Sequence, residues 1–230
     1  MSFDFLKENL AKINKTVADC CEQAGRSVES VKFLPVTKVQ PLEKLKALYE
    51  IGERSFGENR VQEMCDKAAV LPKDIEWHLI GSLQKNKVRQ ALSVATWIHS
   101  VDSLKLIERI DRIAGEEGCK PHIFLQVNMT GEAQKGGFEP EELEEAVKVA
   151  SNCLNLTLEG LMTMGKAGAT DEETRSVFRA LNELQNKLKL SSPELNEISM
   201  GMSGDFHLAI LEGATYIRVG SLLLGDREYN

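Results

Sequence analysis

The sequence predicts an α/β fold in which one (β/α)8 TIM barrel follows an extra N-terminal helix. Strand-like apolar runs alternate with amphipathic helical segments about eight times along the chain, and this alternation is typical of a parallel sheet covered by helices. The length of 230 residues is close to the roughly 250 residues of a typical barrel of this kind. An open, doubly wound parallel sheet is the alternative.

The first half of the chain predicts the opening helix and four strand-helix units. Leu6, Leu10 and Ile13 begin an apolar stripe over residues 3–23, spaced alternately by four and three, which is one face of an α-helix. Pro41 favours a helix start, and Asp102 or Ser103 can cap a later helix. Strands are expected at residues 31–37, 54–59, 76–81 and 97–101, with helices at 41–51, 61–68, 83–92 and around 106–113.

The second half completes the eight units. Strands are expected at residues 122–128, 156–162, 197–203 and 215–221, with helices at 140–151, 171–190 and 205–211 and a glycine-containing loop at 130–138. In a closed barrel the first and eighth strands are neighbours, and functional side chains lie at the C-terminal ends of the strands. We therefore expect the functional residues at these strand ends.

Composition indicates one cytoplasmic domain over residues 1–230. No linker or low-complexity tract divides the sequence, and 28 Lys and Arg against 35 Asp and Glu give a net charge of −7, which argues against binding to nucleic acid or an anionic membrane. No apolar run reaches the roughly 18 residues of a membrane span. The five cysteines form no CxxC pair and the four histidines lack metal-site spacing, so we expect reduced thiols and no metal.

A lysine ends the first strand, where a charge requires an explanation. Alternate strand residues share a face, so Leu34, Val36 and Lys38 point the same way, and the first two are residues of a core. One interpretation is that the ammonium group reaches solvent on its long side chain. The other is an amine whose pKa is lowered by burial, so that it forms a Schiff base with a carbonyl compound.

The loops after the last two strands are suited to binding phosphate. In residues 199–204 glycines let backbone amides approach an anion, Ser203 offers a hydroxyl, and a helix begins directly afterwards. Gly220 and Ser221 repeat this pattern. Glycines that only form turns are the alternative.

Arg218 lies inside the apolar eighth strand, where a permanent charge must be paired or must face a ligand. A structural salt bridge is one explanation. The other is that Arg218, Lys38 and the two loops together form what pyridoxal phosphate requires, because the first and eighth strands are adjacent in a closed barrel.

Several groups of residues occur in order along nearly the whole chain: 34–38, 56–59 with 61–63, 77–81 with 83, 84, 86 and 87, 199–203, and 218–220. Together they closely resemble the YggS/PROSC family of pyridoxal phosphate homeostasis proteins. The resemblance implies a barrel like the N-terminal domain of alanine racemase, with pyridoxal 5′-phosphate held as an internal aldimine.

The resemblance also implies the residues of the site. Lys38 matches the aldimine lysine and Arg218 the arginine beside the pyridine nitrogen. The other matching positions bind phosphate or line the site, and they are Asn59, His78, Ser199, Met200, Gly201, Met202, Ser203, Gly220 and Ser221. Thr37 and Ser221 stand where the family often has serine and threonine, and each keeps a hydroxyl.

Three functions remain open from the sequence. The first is intracellular storage, buffering or delivery of the cofactor, with PLP-dependent apo-enzymes as recipients, no catalytic residue and a monomeric chain. Alanine racemases take a catalytic tyrosine from a second domain that also builds their dimer, and 230 residues leave no room for it. The second function is a PLP-dependent racemase or lyase of narrow scope. The third is a Schiff-base aldolase that acts on a phosphorylated sugar without a cofactor.

Overall fold

Eight parallel strands form the centre of the molecule. The computed structural model describes residues 3–132 and 136–225. The strands are β1 (Lys32–Pro35), β2 (Ser55–Glu58), β3 (Glu76–Leu79), β4 (Ala95–Val101), β5 (His122–Gln126), β6 (Thr157–Met162), β7 (Glu197–Met202) and β8 (Tyr216–Val219). Each lies within or close to a segment whose apolar pattern predicts a strand.

The strands close into a barrel. Their hydrogen-bonded order is β1-β8-β7-β6-β5-β4-β3-β2, and a parallel bridge between Val36 and Gly57 joins β1 to β2. The Thr37 amide donates to the Gly57 carbonyl at 2.9 Å at this junction. The order confirms the predicted (β/α)8 barrel and excludes the doubly wound sheet.

Helices cover the outside of the barrel. They are α1 (Asp4–Gln23), α2 (Leu42–Glu50), α3 (Val61–Val70), α4 (Val88–Leu92), α5 (Leu104–Glu117), α6 (Leu143–Ser151), α7 (Asp171–Lys189), α8 (Phe206–Leu211) and α9 (Ser221–Leu224). Short 3-10 turns lie at Val28–Ser30, Lys85–Lys87 and Pro140–Glu142. Within the described ranges, none of the helices has the length and apolar character needed to cross a membrane.

The predicted extra N-terminal helix is confirmed. The apolar stripe of α1 buries Leu6, Ile13 and Val17, and the helix packs against α8 and α9. The Asn9 side chain donates to the carbonyl of Leu223 at 3.1 Å. This helix therefore supports the elements that follow β7 and β8.

The core has two layers. The larger layer lies between the sheet and the helices, whereas a smaller aromatic cluster of Phe124, Met162 and Tyr216, with Trp97 against it, lies apart from that layer. The rings of His78 and Trp97 stack with centroids 5.3 Å apart. Since these side chains come from β3, β4, β5, β6 and β8, they pack the barrel interior.

Four predicted details are wrong, and one of them is the helix expected at residues 140–151, which is divided into a 3-10 turn at Pro140–Glu142 and α6. The helix expected at residues 83–92 is divided into a 3-10 turn and α4, because Leu83 is buried ahead of an extended Gln84. Ser221 begins α9 instead of ending a strand, since Leu223 and Leu224 turn inward and are buried. Ser103 stands at the start of α5, but its hydroxyl donates to Asp102 instead of capping the helix.

Candidate functional site

A cavity of about 530 Å³ opens at the C-terminal ends of the strands. Active sites of such barrels lie at this end, and the volume falls within the range of about 300–1,000 Å³ for small-molecule sites. Several residues selected from the sequence line it, namely Lys38, Asn59, Met202, Ser203, Arg218, Gly220 and Ser221. The fold thus brings together residues from the first and the last strands.

Lys38 lies in the turn that follows β1. Leu34 and Val36 are buried, and Val36 lines the cavity together with Lys38. The Lys38 side chain is half-buried. Because β1 pairs with β8 so that Leu34 lies opposite Arg218, the end of β1 places an amine and a guanidinium in the wall of one cavity.

Arg218 is 4% exposed. Its Nη1 donates to Ser199 Oγ at 2.7 Å and its Nη2 to the Thr163 carbonyl at 2.9 Å. Among the described residues no carboxylate forms an ion pair with it, so the salt bridge considered from the sequence is not formed. Burial lowers the pKa of Arg218 to about 10, an effect that Asp205 opposes. A protonated, buried guanidinium is therefore available to an electron-rich ligand.

Ser203 and Gly220 join the two loops that follow β7 and β8. The Gly220 amide donates to Ser203 Oγ at 3.1 Å. A Cβ atom at Gly220 would lie 3.2 Å from the Val36 carbonyl oxygen, so the missing side chain lets this loop approach β1. The hydroxyl groups of Ser203 and Ser221 consequently line one cavity, and they are donors of the kind that bind phosphate.

The backbone of the β7 loop is only partly available to an anion. Asp205 Oδ1 accepts a hydrogen bond from the Met202 amide at 2.6 Å. Gly201 has a φ of +88°, and a Cβ there would lie 2.6 Å from the Cβ of Ala209 on α8. The Met202 amide is therefore used within the loop, and Gly201 provides the close turn that α8 requires.

A hydrogen-bonded chain runs from Arg218 into the barrel interior. Ser199 Oγ lies 2.8 Å from His99 Nδ1, and His99 Nε2 lies 3.0 Å from His78 Nδ1. Burial lowers the pKa of His78 to about 3 and that of His99 well below its usual value. Both rings are therefore neutral at physiological pH. His78 and Ser199 are buried and do not line the cavity; Ser199 contacts the guanidinium of Arg218 directly, whereas His78 is linked to it through His99 and Ser199.

Met200 and Gly201 also lie outside the lining of the cavity. Met200 is fully buried in the layer between the sheet and the helices, and Gly201 faces Phe206 and Ala209 of α8. Packing explains both positions. Their contribution to a binding site stays a prediction.

Residues outside the set assigned to the site from the sequence complete the lining on the opposite side. Ser82, Asp102, Gln126 and Met164 lie there, at or just after the ends of β3 to β6. Position was the only available signal for them, since strand ends of a barrel carry functional residues whatever their type. Asp102 is notable as a carboxylate in the wall of the cavity.

The chemistry of the cavity fits pyridoxal 5′-phosphate. That molecule presents an aldehyde, a ring nitrogen and a phosphate, which correspond to the amine of Lys38, the guanidinium donor of Arg218 and the hydroxyls of Ser203 and Ser221. In the part of the chain that the structure describes, no group of three or more His, Cys, Asp or Glu side chains is arranged to hold a metal ion.

Comparison with known protein families gives a match over most of the chain. Residues 6–228 match the model of the alanine racemase N-terminal domain. A pyridoxal phosphate homeostasis protein of Aquifex aeolicus is 39% identical over 224 residues, which cover 96% of this chain and 98% of that protein. A protein of the same name from Escherichia coli is 31% identical over 229 residues, which cover 98% of each chain.

Comparison with solved structures agrees with this family match. The PipY protein of Synechococcus elongatus PCC7942, with PLP bound, is 40% identical with a TM-score of 0.85 and coverage of 96% of this chain and 100% of that chain. Alanine racemase of Clostridium difficile 630 has a TM-score of 0.77 at 16% identity, with coverage of 99% of this chain and 58% of the racemase. The second likeness shows the shared fold alone.

Proposed function

The chain belongs to the alanine racemase N-terminal domain family and, within it, to the pyridoxal phosphate homeostasis proteins, and from this premise we propose that it binds pyridoxal 5′-phosphate and serves in the homeostasis of that cofactor. Storage, buffering and delivery to PLP-dependent apo-enzymes are the roles that this function comprises. In the proposal the whole chain acts as one domain, as a monomer and in the cytoplasm. The bound PLP of the related PipY protein supports the choice of ligand.

One observation carries the proposal: Lys38, Arg218 and the loops of Ser203 and Gly220 meet at a single cavity. None of these residues alone distinguishes a cofactor site from a strand end or a turn. Their convergence does, because an amine, a buried guanidinium and a phosphate-type donor set match the three functional groups of one molecule. Arg218 gives the strongest support, since burial of an arginine is costly when no carboxylate among the described residues pairs with it.

Each residue has a defined task in this proposal. The Lys38 amine would hold the aldehyde carbon, with the aldehyde oxygen leaving as water. The Ser203 and Ser221 hydroxyls and the β8 loop would hold the phosphate, and Arg218 would donate to the ring nitrogen. Ser199, in turn, fixes Arg218 Nη1 at 2.7 Å. When bound, pyridoxal phosphate supplies an electron-withdrawing ring conjugated to the lysine nitrogen.

We propose that the site has little or no catalytic activity. Arginine is only a donor, so Arg218 disfavours a protonated ring nitrogen and leaves the ring a weak electron sink. Neither Tyr49 nor Tyr216 lines the cavity: the Tyr49 hydroxyl lies 2.9 Å from both carboxylate oxygens of Asp74, and Tyr216 belongs to the interior cluster. Both are unsuited to act as a second base.

The second candidate function is a PLP-dependent racemase or lyase of narrow scope. Asp102 favours it, because this carboxylate lines the cavity and provides a second group able to take a proton. Turnover on a panel of amino acids, measured for the loaded protein and for Asp102→Asn, separates the two functions. Activity that depends on Asp102 would replace the homeostasis proposal by this one.

The proposal is tested by absorption spectroscopy and mass spectrometry of protein loaded with pyridoxal 5′-phosphate. We expect a yellow protein whose borohydride-reduced adduct maps to Lys38. Lys38→Ala should lose the adduct, whereas Lys105→Ala, a change at an exposed residue of α5, should keep it. A protein that stays colourless with excess cofactor would contradict both PLP-based functions and leave the cofactor-free aldolase.

A further inference from the structure

Both peptide groups that flank Lys38 are bound by side chains of α3. The Thr37 carbonyl accepts a hydrogen bond from Lys67 Nζ at 2.7 Å. The Val39 amide donates to Glu63 Oε1 at 2.6 Å, and the same oxygen accepts from Lys67 Nζ at 2.7 Å. The Glu63–Lys67 ion pair, called the clamp below, therefore binds the backbone immediately before and immediately after Lys38.

The backbone at Val39 needs such a restraint. Its φ is +57°, which is the left-handed region, and it is the one non-glycine residue in the described ranges with a positive φ. A β-branched side chain is strongly disfavoured there. Val39 is 42% exposed, so burial of its side chain does not compensate for the strain. Two hydrogen bonds oppose relaxation: the bond from the Val39 amide to Glu63, and the turn bond from the Gln40 amide to the Thr37 carbonyl at 3.2 Å.

The clamp is anchored in the barrel. Glu63 and Lys67 are one helical turn apart on α3 and face the same side. Lys67 Nζ also lies 2.7 Å from Glu58 Oε1 of β2, and that oxygen accepts from the Thr37 hydroxyl at 2.6 Å. Lys67 is 6% exposed and Glu58 is 0% exposed. Because these groups are shielded from water, the hydrogen bonds between them keep a rigid arrangement.

We propose that Glu63 and Lys67 are positioning residues for Lys38, which hold Val39 in the left-handed region so that the Lys38 amine faces the cavity before the cofactor arrives. The inference rests on the proposed function, since it concerns the lysine that receives pyridoxal 5′-phosphate. Buried ion pairs are weak sources of net stability but retain a defined geometry. That geometry is used here to hold the backbone on both sides of Lys38.

A mutant cycle tests the clamp. Glu63→Leu removes the acceptor for the Val39 amide, Glu63→Gln keeps an acceptor oxygen, and Val39→Gly removes the steric strain of the positive φ. Glu63 is 23% exposed, so its variants should fold. The dissociation constant of pyridoxal 5′-phosphate is measured for each by the absorbance of the lysine-bound form, and exchange of the Val39 amide is followed in the cofactor-free protein.

We expect Glu63→Leu to raise the dissociation constant on the order of tenfold, the size of effect that strained backbone produces. The dissociation constant of Glu63→Gln should stay within about threefold of that of the parent protein. In the Val39→Gly background, Glu63→Leu should raise the dissociation constant by less than about threefold, because glycine adopts a positive φ without strain. The Val39 amide should exchange faster in cofactor-free Glu63→Leu.

A second ion-pair group, in which the carboxylate of Glu212 is buried and its two arginine partners are partly exposed, serves as the control. Glu212→Gln removes the carboxylate that binds Arg175 and Arg179. This variant should lower the stability of the protein without weakening the binding of the cofactor. The clamp would be overturned if Glu63→Leu weakened cofactor binding equally in the parent protein and in the Val39→Gly background. It would also be overturned if exchange of the Val39 amide were unchanged in Glu63→Leu. Failure of the parent protein to form the Lys38 adduct would instead overturn the proposed function, while the exchange measurement still tests the clamp.

Discussion

The two histidines beneath Arg218 are expected to stay neutral at pH 5. Burial lowers the pKa of His78 to about 3, far below the value of about 6.5 in unfolded chains. Below pH ~6.5 the unfolded chain therefore binds protons that the folded chain does not, so stability is fully present above that pH. The contribution of His78 to stability falls as the pH decreases toward 3, by up to about 1.4 kcal/mol per pH unit, and burial of His99 acts in the same direction.

Ring nitrogen chemical shifts of ¹⁵N-labelled protein between pH 7 and 5 check this prediction. His78 and His99 should keep the shifts of neutral tautomers throughout. This readout avoids the opposing contribution of Glu58, whose pKa is raised by burial and which favours the folded state as the pH falls. Protonation of either ring at pH 5 in a folded protein would show that burial does not keep these rings neutral.

Individual residues differ in how far the sequence reveals them. Lys38 and Arg218 stand out because each puts a charge into an apolar strand pattern, which is locally improbable and so informative. Lys67 sits on an ordinary amphipathic helix, and only the approach of α3 to the β1 turn shows that it is buried and bonded to the Thr37 carbonyl. The hydrogen bond between His99 and Ser199 likewise joins positions that are 100 residues apart in the sequence.

At the scale of single elements, the junction of β7 and α8 is expected to depend on Gly201. Alanine there combines a φ of +88° with a Cβ 2.6 Å from Ala209 Cβ, so Gly201→Ala should lower the free energy of unfolding by about 2–4 kcal/mol. Displacement of α8 should also weaken the binding of pyridoxal 5′-phosphate, because Ser203 lies in the same loop. Urea denaturation and cofactor titration measure the two effects.

Gly25 offers the matched control for this substitution. It has a φ of +63°, and a Cβ there would meet nothing within 4 Å, so Gly25→Ala should cost only about 1 kcal/mol of backbone strain. Cofactor binding should be unchanged in this variant. Equal losses of stability in the two alanine variants would mean that contact with α8 plays no part.

Elements were predictable where periodicity continues for several turns. The long helix expected at residues 171–190 is α7, because its apolar spacing and its capping Thr170 agree. Short elements were less predictable: Ser221 continues an apolar run, and only burial of Leu223 and Leu224 turns that run into α9. The predicted loop at residues 130–138 lies partly outside the described residues.

At the scale of the whole molecule, the barrel closes at its least paired junction, next to Lys38. Within the described ranges β1 and β2 are joined by the single bridge of Val36 and Gly57, whereas β5 and β6 pair over the full length of β5. A junction with few hydrogen bonds opens locally more often than a continuous ladder. The alternation that predicts the barrel does not reveal this difference, because it depends on strand length and tilt.

Pyridoxal 5′-phosphate is expected to stabilise this junction, because the cavity that it would occupy is lined both by Lys38 after β1 and by Asn59 after β2. In the cofactor-free protein the Thr37 amide, which bonds to the Gly57 carbonyl, should exchange faster than the Ile123 amide of β5. At a ligand concentration of 100 times the dissociation constant, exchange of Thr37 should slow by about a hundredfold if the open junction does not bind the cofactor. Lys38→Ala with the same cofactor should show no slowing, and equal slowing in that variant would mean that closure does not depend on the lysine.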